Sequence, residues 1–187
     1  MKRIPGGIII VLSLMLWTAC RPAAAPVSVS NVPISINGRP TTNLPMPPSK
    51  PMEEMSWNRI DGAKEKLKDL QGKAVILDFW ATYCPPCIEE TPSLNALAKE
   101  YGPKGVVVLG VSIDKNEQKY KKFLDRFGIQ FPMTRDADHK LADIYGTYQF
   151  PETYIIDRNG KVVQKVISNT NWNGPEIKIF LDNLLRS

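Results

Sequence analysis

Residues 74–87 read AVILDFWATYCPPC, and this stretch decides the predicted fold. Its first half is a nearly continuous apolar run, which is typical of a strand buried on both faces of a sheet. Its second half carries Cys84 and Cys87, separated by two prolines, and opens a segment with apolar residues at helical spacing. A Cys-x-x-Cys at the junction between a buried strand and a helix is the pattern of a redox-active dithiol.

The rest of the sequence alternates strand and helix patterns around this stretch. Apolar periodicity and turn residues predict strands at 74–80, 105–113, 131–133, 152–156 and 161–167, and helices at 85–100, 116–127, 139–145 and 175–185. Residues 63–70 fit either a short helix or a strand with a loop. Because a strand, a helix and a strand in this order form a unit with parallel strands, and a hairpin follows, the sequence predicts an α/β fold with a central mixed β-sheet flanked by helices.

The composition is that of an ordinary globular protein, with 43% hydrophobic and 23% charged residues. The net charge of +5 is spread along the chain, and its densest basic group, at 119–122, is typical of a solvated helix face. A nucleic-acid-binding protein would gather its basic residues into a stripe. We therefore expect no nucleic-acid partner. We also expect a monomer that needs no cofactor.

The N-terminus has the features of an export signal. Lys2 and Arg3 precede an apolar run at 8–17, which is shorter than the roughly 20 residues of a membrane-spanning helix. The run ends in LWTAC at 16–20, which resembles a bacterial lipoprotein signal in which Cys20 is acylated after cleavage before it. Cleavage after Ala25 and retention as an uncleaved anchor are the alternatives. Each of the three places the domain outside the cytoplasm.

Eight prolines and little apolar periodicity mark residues 21–51. Such a segment buries too little surface to offset the entropy of ordering it, and its prolines favour extended backbone. We divide the chain into a signal peptide at 1–20, a proline-rich tether at 21–54 and a folded domain at 55–187. The tether is either a spacer that holds the domain away from a membrane or a passive linker.

Cys84 and Cys87 are interpreted as a reactive pair, because a disulfide that closes so short a loop constrains the unfolded chain little. Cys84 falls at the N-terminus of the predicted helix, where unpaired backbone N–H groups and the helix dipole stabilise a thiolate. We expect Cys84 to attack, and Cys87 to resolve the mixed disulfide. Pro85 and Pro86 stiffen the loop but remove two N–H donors, which predicts a moderate lowering of the Cys84 pKa.

Asp78 interrupts the apolar strand. An ionised carboxylate is costly to bury, so burial raises its pKa and prepares it to exchange a proton when Cys87 reacts. The alternative is a hydrogen-bonded polar group of the core. Trp80 and Tyr83 are expected to pack beside the cysteines and to shape a docking surface, with plain core filling as the alternative for Trp80.

Residues 77–87, LDFWATYCPPC, resemble the active-site segment of thioredoxin, and residues 55–187 resemble the membrane-tethered TlpA and ResA branch of the thioredoxin-like superfamily. The resemblance implies a thioredoxin-like fold. Pro92 matches the proline that kinks the active-site helix of the family. Pro151 matches a cis-proline that faces the disulfide, with an ordinary trans edge proline as the alternative. Glu90 matches an acidic residue of the ResA-like branch, with a solvated acid in the first helical turn as the alternative.

The resemblance also implies an extracytoplasmic thiol:disulfide oxidoreductase that reduces protein disulfides and is kept reduced by a membrane electron donor. Its clients would include the thiols of apocytochrome c, which would link the chain to cytochrome c maturation. The catalytic residues would be Cys84, Cys87, Asp78 and Glu90. The substrate-binding residues would be Trp80, Tyr83, Pro85, Pro86, Phe150 and Pro151.

The sequence can also be compared with the motifs of two other functions, those of a copper chaperone and of a peroxidase. Copper chaperones of this fold resemble Cys-x-x-x-Cys with a distal histidine, whereas this chain offers Cys-x-x-Cys and a single histidine, His139. Copper titration into the reduced protein separates this alternative. A peroxidase would carry a proline and a threonine or serine ahead of its reactive cysteine, at the positions where Leu77 and Ala81 stand. We expect no metal site, since structural zinc needs four ligands.

Overall fold

A computed structural model of the chain describes residues 35–36, 39–40, 56–58 and 64–187. The proposed signal peptide with Cys20, and most of the proposed tether, lie outside the described residues. Two short antiparallel pairs precede the main sheet. They are formed by β1 (Ser35–Ile36) with β2 (Arg39–Pro40), and by β3 (Ser56–Asn58) with β4 (Lys64–Lys66).

The main sheet is mixed and has five strands, as the sequence predicts. They are β5 (Ala74–Trp80), β6 (Val106–Ser112), β7 (Met133–Arg135), β8 (Glu152–Ile156) and β9 (Val162–Ile167), in the spatial order β7-β6-β5-β8-β9. The first three are parallel, and β8 and β9 complete the sheet as an antiparallel hairpin. All seven residues of β5 are buried, which explains why this central strand is apolar at every position except Asp78.

Four α-helices accompany the sheet. They are α1 (Pro85–Tyr101), α2 (Glu117–Phe127), α3 (Lys140–Tyr145) and α4 (Pro175–Leu184). The helix α1 starts with Pro85 because proline at the first helical position loses no intrahelical hydrogen bond. Pro92 lies inside this helix, which continues to Tyr101. Among residues 64–187, none of the helices has both the length and the apolar character needed to cross a bilayer.

Two sequence expectations change in the structure. The strand predicted at 131–133 is wrong, because β7 begins at Met133 and ends at Arg135. Pro132 has no N–H group and takes part in pairing only as an acceptor, through the bond from the N–H of Gly110 at 3.0 Å. For residues 63–70 the sequence fits either a short helix or a strand with a loop. The structure has β4 in this segment, followed by a 3₁₀ helix at Leu67–Leu70. The other predicted elements agree with the structure to within one or two residues.

The strand directions bring three loops to one edge of the sheet. The parallel strands β5 and β6 both end at this edge, and the antiparallel β8 begins there. The segment after β5 carries Cys84, and the segment before β8 carries Pro151. Phe79 pairs with Glu152, so Pro151 lies one position beyond that pair, level with Trp80. This topology places the proline segment next to the start of α1.

Candidate active site

Cys84 and Cys87 form a disulfide across the first turn of α1, with 5.3 Å between their Cα atoms. Cys84 is the N-cap residue of the helix, and its Sγ atom accepts a hydrogen bond from the backbone N–H of Cys87 at 3.3 Å. Cys84 is 8% exposed and Cys87 is 2% exposed. The sulfur at the head of the helix is therefore the more accessible of the two.

Asp78 lies in the middle of β5, between Gly110 of β6 and Thr153 of β8 in the strand register. Its side chain is buried, and its Oδ1 atom accepts a hydrogen bond from the hydroxyl of Thr153 at 2.9 Å. Burial raises the pKa of Asp78 to about 7, and the bond from Thr153 offsets only part of this increase. The carboxyl group therefore titrates near neutral pH.

Glu90 is also buried, which contradicts the alternative of a solvated acid in the first helical turn. Its Oε2 atom accepts hydrogen bonds from the backbone N–H of Thr170 at 3.2 Å and from the indole N–H of Trp172 at 3.1 Å. Its Oε1 atom has no hydrogen-bond partner among the described residues. Burial and, after it, the negative charge of Asp78 raise the pKa of Glu90 to about 9, although the two donors offset part of the increase.

Cys87 and Glu90 share one face of α1, because residues three apart on a helix are neighbours. Thr91 and Leu94 continue this buried face. The negative charge of Asp78 raises the pKa of Glu90, so the two buried carboxyl groups are close enough to interact. Glu90 therefore connects the face of α1 that carries Cys87 electrostatically with β5.

The peptide bond between Phe150 and Pro151 is cis, as the resemblance implies. Pro151 is buried, and Phe150, which directly precedes it, is half-buried. Of the other residues expected to contact substrate, Tyr83 is 68% exposed, and Pro85 and Pro86 are exposed on the first turn of α1.

Trp80 is buried rather than open to a substrate. Its ring packs against Phe123, with 4.4 Å between ring centroids, and lies 6.2 Å from the ring of Tyr120. This packing favours the core-filling alternative for Trp80.

A cavity of about 320 Å³ opens beside the buried Glu90. Its lining residues are Glu89, Glu90, Ser93, Asn169, Thr170 and Asn171. Within the described ranges, no three histidine, cysteine, aspartate or glutamate side chains lie close enough together to hold a metal ion.

Residues 48–165 match the model of the AhpC/TSA family, which covers well over half of the chain. The thiol-disulfide oxidoreductase ResA of Geobacillus thermodenitrificans is 39% identical over 125 residues, which is 67% of this chain and 71% of that protein. The chain belongs to this family, in its ResA-like branch.

Other comparisons agree with this assignment. The ResA protein of Bacillus thuringiensis strain Al Hakam is 39% identical over 108 residues, so the ResA-like chain spans 62% of the length of that relative and matches it over 58% of its own. A crystal structure from Chlorobium tepidum, of a protein assigned as the thiol:disulfide interchange protein DsbE, superimposes with a TM-score of 0.68 at 27% identity. The match covers 76% of the ResA-like chain and 99% of the other.

Several partners of the ResA-like site were not identified from the sequence. Asp114, at the end of β6, accepts bonds from the backbone N–H of Thr82 at 2.9 Å and from its hydroxyl at 2.6 Å. Thr82 belongs to the turn in which the N–H of Cys84 bonds to the carbonyl of Ala81. Asp114 thereby fixes the turn in front of the first cysteine. The only available signal was an acidic residue directly after an apolar strand.

Proposed function

We propose that the chain is a thiol:disulfide oxidoreductase that reduces disulfides in other proteins. The observation that carries this proposal is the Cys84–Cys87 pair at the N-terminus of α1, with the more exposed sulfur at the N-cap. The name shared by the ResA relatives, thiol-disulfide oxidoreductase, supports the same reaction.

The proposed reaction starts from the reduced pair. The Cys84 thiolate attacks one sulfur of the substrate disulfide, that bond breaks, and the departing substrate sulfur takes up a proton. Cys87 then loses its proton, attacks the Cys84 sulfur and releases the second substrate thiol. The substrate gains two electrons and two protons, and the chain retains the Cys84–Cys87 disulfide. A donor dithiol must return two electrons and two protons before the next cycle.

We assign the proton transfers at Cys87 to the buried carboxyl groups. Asp78, with a pKa raised to about 7 by burial, can accept the proton of Cys87 during the resolving step and return it during reduction. Glu90 shares the Cys87 face of α1, and its pKa of about 9 keeps it protonated at neutral pH. Glu90 therefore stays protonated while Asp78 gains or loses its proton.

We assign substrate contact to the exposed ring of Tyr83, the two prolines of the first turn and the segment ending in cis-Pro151. Trp80 is buried against Phe123 and takes no part in this contact. This arrangement offers a mostly apolar surface around a small opening at Cys84, which suits an extended polypeptide that carries a disulfide.

We place this activity outside the cytoplasm, with the domain at 55–187 tethered to a bacterial membrane through residues 21–54 and a lipid on Cys20. A membrane protein of the thiol-reducing type would supply the electrons, and apocytochrome c would be among the clients. Replacement of Cys20 by alanine tests the anchor. Fatty-acid labelling and membrane association should both disappear, and labelling that persists would contradict the lipid site.

The activity is tested by turnover of insulin disulfides with the reduced full-length chain and excess dithiothreitol. Cys84→Ser should abolish the catalysed rate, whereas pre-reduced Cys87→Ser, mixed with insulin after dithiothreitol is removed, should accumulate a mixed disulfide between Cys84 and the substrate. An unchanged rate in Cys84→Ser would overturn the proposal. The direction of electron flow is tested by equilibration with glutathione. A reduction potential near the roughly −270 mV of thioredoxin supports a reductase, and one near the roughly −120 mV of DsbA contradicts it.

A further inference from the structure

A buried ion pair lies directly behind the cis-proline segment. The Nζ atom of Lys165 is 2.7 Å from Oε1 of Glu152, and the side chains are 4% and 0% exposed. Glu152 follows Pro151 as the first residue of β8, and Lys165 lies on the neighbouring strand β9. A buried ion pair gains little stability over an apolar pair of the same volume, because both charges lose their hydration. The pair therefore calls for an explanation other than core stability.

The carboxylate of Glu152 also reaches the start of the segment 147–151. Its Oε1 atom accepts a bond from the hydroxyl of Thr147 at 3.3 Å, two residues after the end of α3. Glu152 itself directly follows Pro151 in the chain, so this bond ties the two ends of the segment together. The hydroxyl of Tyr154 also donates to Oε1 of Glu152 and lies 3.1 Å from the hydroxyl of Thr147. A five-residue segment closed in this way has few alternative conformations.

The segment presents one large exposed side chain. Tyr148 is 70% exposed, and its ring centroid lies 5.8 Å from the buried Nζ atom of Lys165. An ammonium group at this distance from an aromatic ring is weakly attractive. The ion pair thus contacts the segment at two places, Thr147 through Glu152 and the ring of Tyr148 through Lys165.

We propose that the Glu152–Lys165 ion pair is a positioning element for protein substrates, and that Tyr148 is the substrate contact that it holds in place. The proposal rests on the proposed function, because it assumes that disulfide-bearing polypeptides dock beside cis-Pro151. Small disulfides need no such surface and react at Cys84 alone. The pair therefore governs binding of polypeptides and leaves the chemistry of the cysteines unchanged.

The test compares two substrates with the full-length chain: insulin as a protein disulfide and hydroxyethyl disulfide as a small one. Tyr148→Ala changes an exposed side chain and should fold normally. The double variant Glu152→Gln and Lys165→Met replaces the ion pair by neutral side chains of similar volume. In both, KM for insulin should rise about fivefold with kcat little changed, because uniform binding is lost. The rate with hydroxyethyl disulfide and the reduction potential should stay at the wild-type values.

The matched control is Glu117→Gln with Lys121→Met, which removes the exposed ion pair on α2 with the same change in charge. Combining Tyr148→Ala with the buried-pair variant should raise KM no further than either change alone. A wild-type KM for insulin in Tyr148→Ala, or in the folded double variant, overturns the inference while turnover by the wild-type chain upholds the proposed function. A wild-type chain inactive on both substrates overturns both.

Discussion

The backbone N–H of Cys87 points at the Sγ atom of Cys84, with 3.3 Å between nitrogen and sulfur. This contact is the N-cap interaction of α1, and a side-chain sulfur fills the position that an oxygen usually takes. A donor in this place favours negative charge on Cys84 over negative charge on Cys87. The two cysteines therefore differ in both accessibility and electrostatic surroundings.

The first prediction concerns the order of alkylation. In the reduced protein, iodoacetamide should modify Cys84 at least about tenfold faster than Cys87, because only Cys84 lies at the N-cap and it is the more exposed of the two residues. Mass spectrometry of the peptides after partial labelling measures the ratio. Equal labelling of the two residues would contradict the assignment of Cys84 as the attacking sulfur.

The second prediction concerns stability and pH. The pKa of Asp78 is 3.8 in an exposed side chain and about 7 in the folded protein, so the folded state binds more protons between these values. Its contribution to stability is complete below about pH 4 and is lost as the pH rises through about 7. Asp78→Asn should therefore stabilise the oxidised protein at pH 8 by on the order of 2–4 kcal/mol, and by much less at pH 5.

Denaturant unfolding at pH 5 and pH 8 measures this difference. The matched control is Asp138→Asn, at an exposed aspartate, which should show no such dependence. A stability gain for Asp78→Asn that is the same at both pH values would show that the buried charge is not its cause.

The third prediction concerns the kinetics of reduction. When dithiothreitol attacks Cys84, the departing Cys87 sulfur needs a proton, which protonated Asp78 can donate. After correction for the ionisation of dithiothreitol, the wild-type rate should fall as the pH rises through about 7, where Asp78 loses its proton. The rate in Asp78→Asn should lack this inflection. Stopped-flow measurements from pH 5 to pH 9 decide it, and an identical inflection in both proteins would remove Asp78 from the proton path.

The fourth prediction uses Trp172 as a reporter. Its indole N–H donates to Oε2 of Glu90, so its NMR shift should follow the ionisation of Glu90, with a midpoint at about 9. In Asp78→Asn the midpoint should move to lower pH, because the repelling charge is gone. The indole signal of Trp80, which has no hydrogen-bond partner among the described residues, provides the control. An unmoved midpoint would show that the two carboxyl groups do not interact.

The parts of the site that are close together in the sequence could be predicted from it. Cys84, Cys87 and Asp78 lie within ten residues, and the periodicity around them indicates which belong to a strand and which to a helix. The raised pKa of Asp78 follows directly from the sequence, since an acidic residue buried in an apolar strand must be either neutral or paired with a partner.

The parts that depend on distant segments could not be predicted. Glu90 obtains its donors from Thr170 and Trp172, which lie about eighty residues further along the chain. Lys165 lies beside Gln164 in a strand that reads VVQKVI, a pattern that does not alternate and so does not indicate which face is buried, and its partner lies on the neighbouring strand. Pairings of this kind depend on strand register, which a single sequence specifies only weakly.

The central strand β5 is bonded on both sides, to β6 over Ala74–Trp80 and to β8 over five of these residues. Each of its amide hydrogens bonds to one neighbour, and both neighbours are interior strands, so exchange requires the middle of the sheet to open and protection should be close to that of global unfolding. Partial openings at the sheet edges would leave Asp78 and the base of the reactive turn in place. The redox centre would thus stay assembled through fluctuations that fray the periphery of the domain.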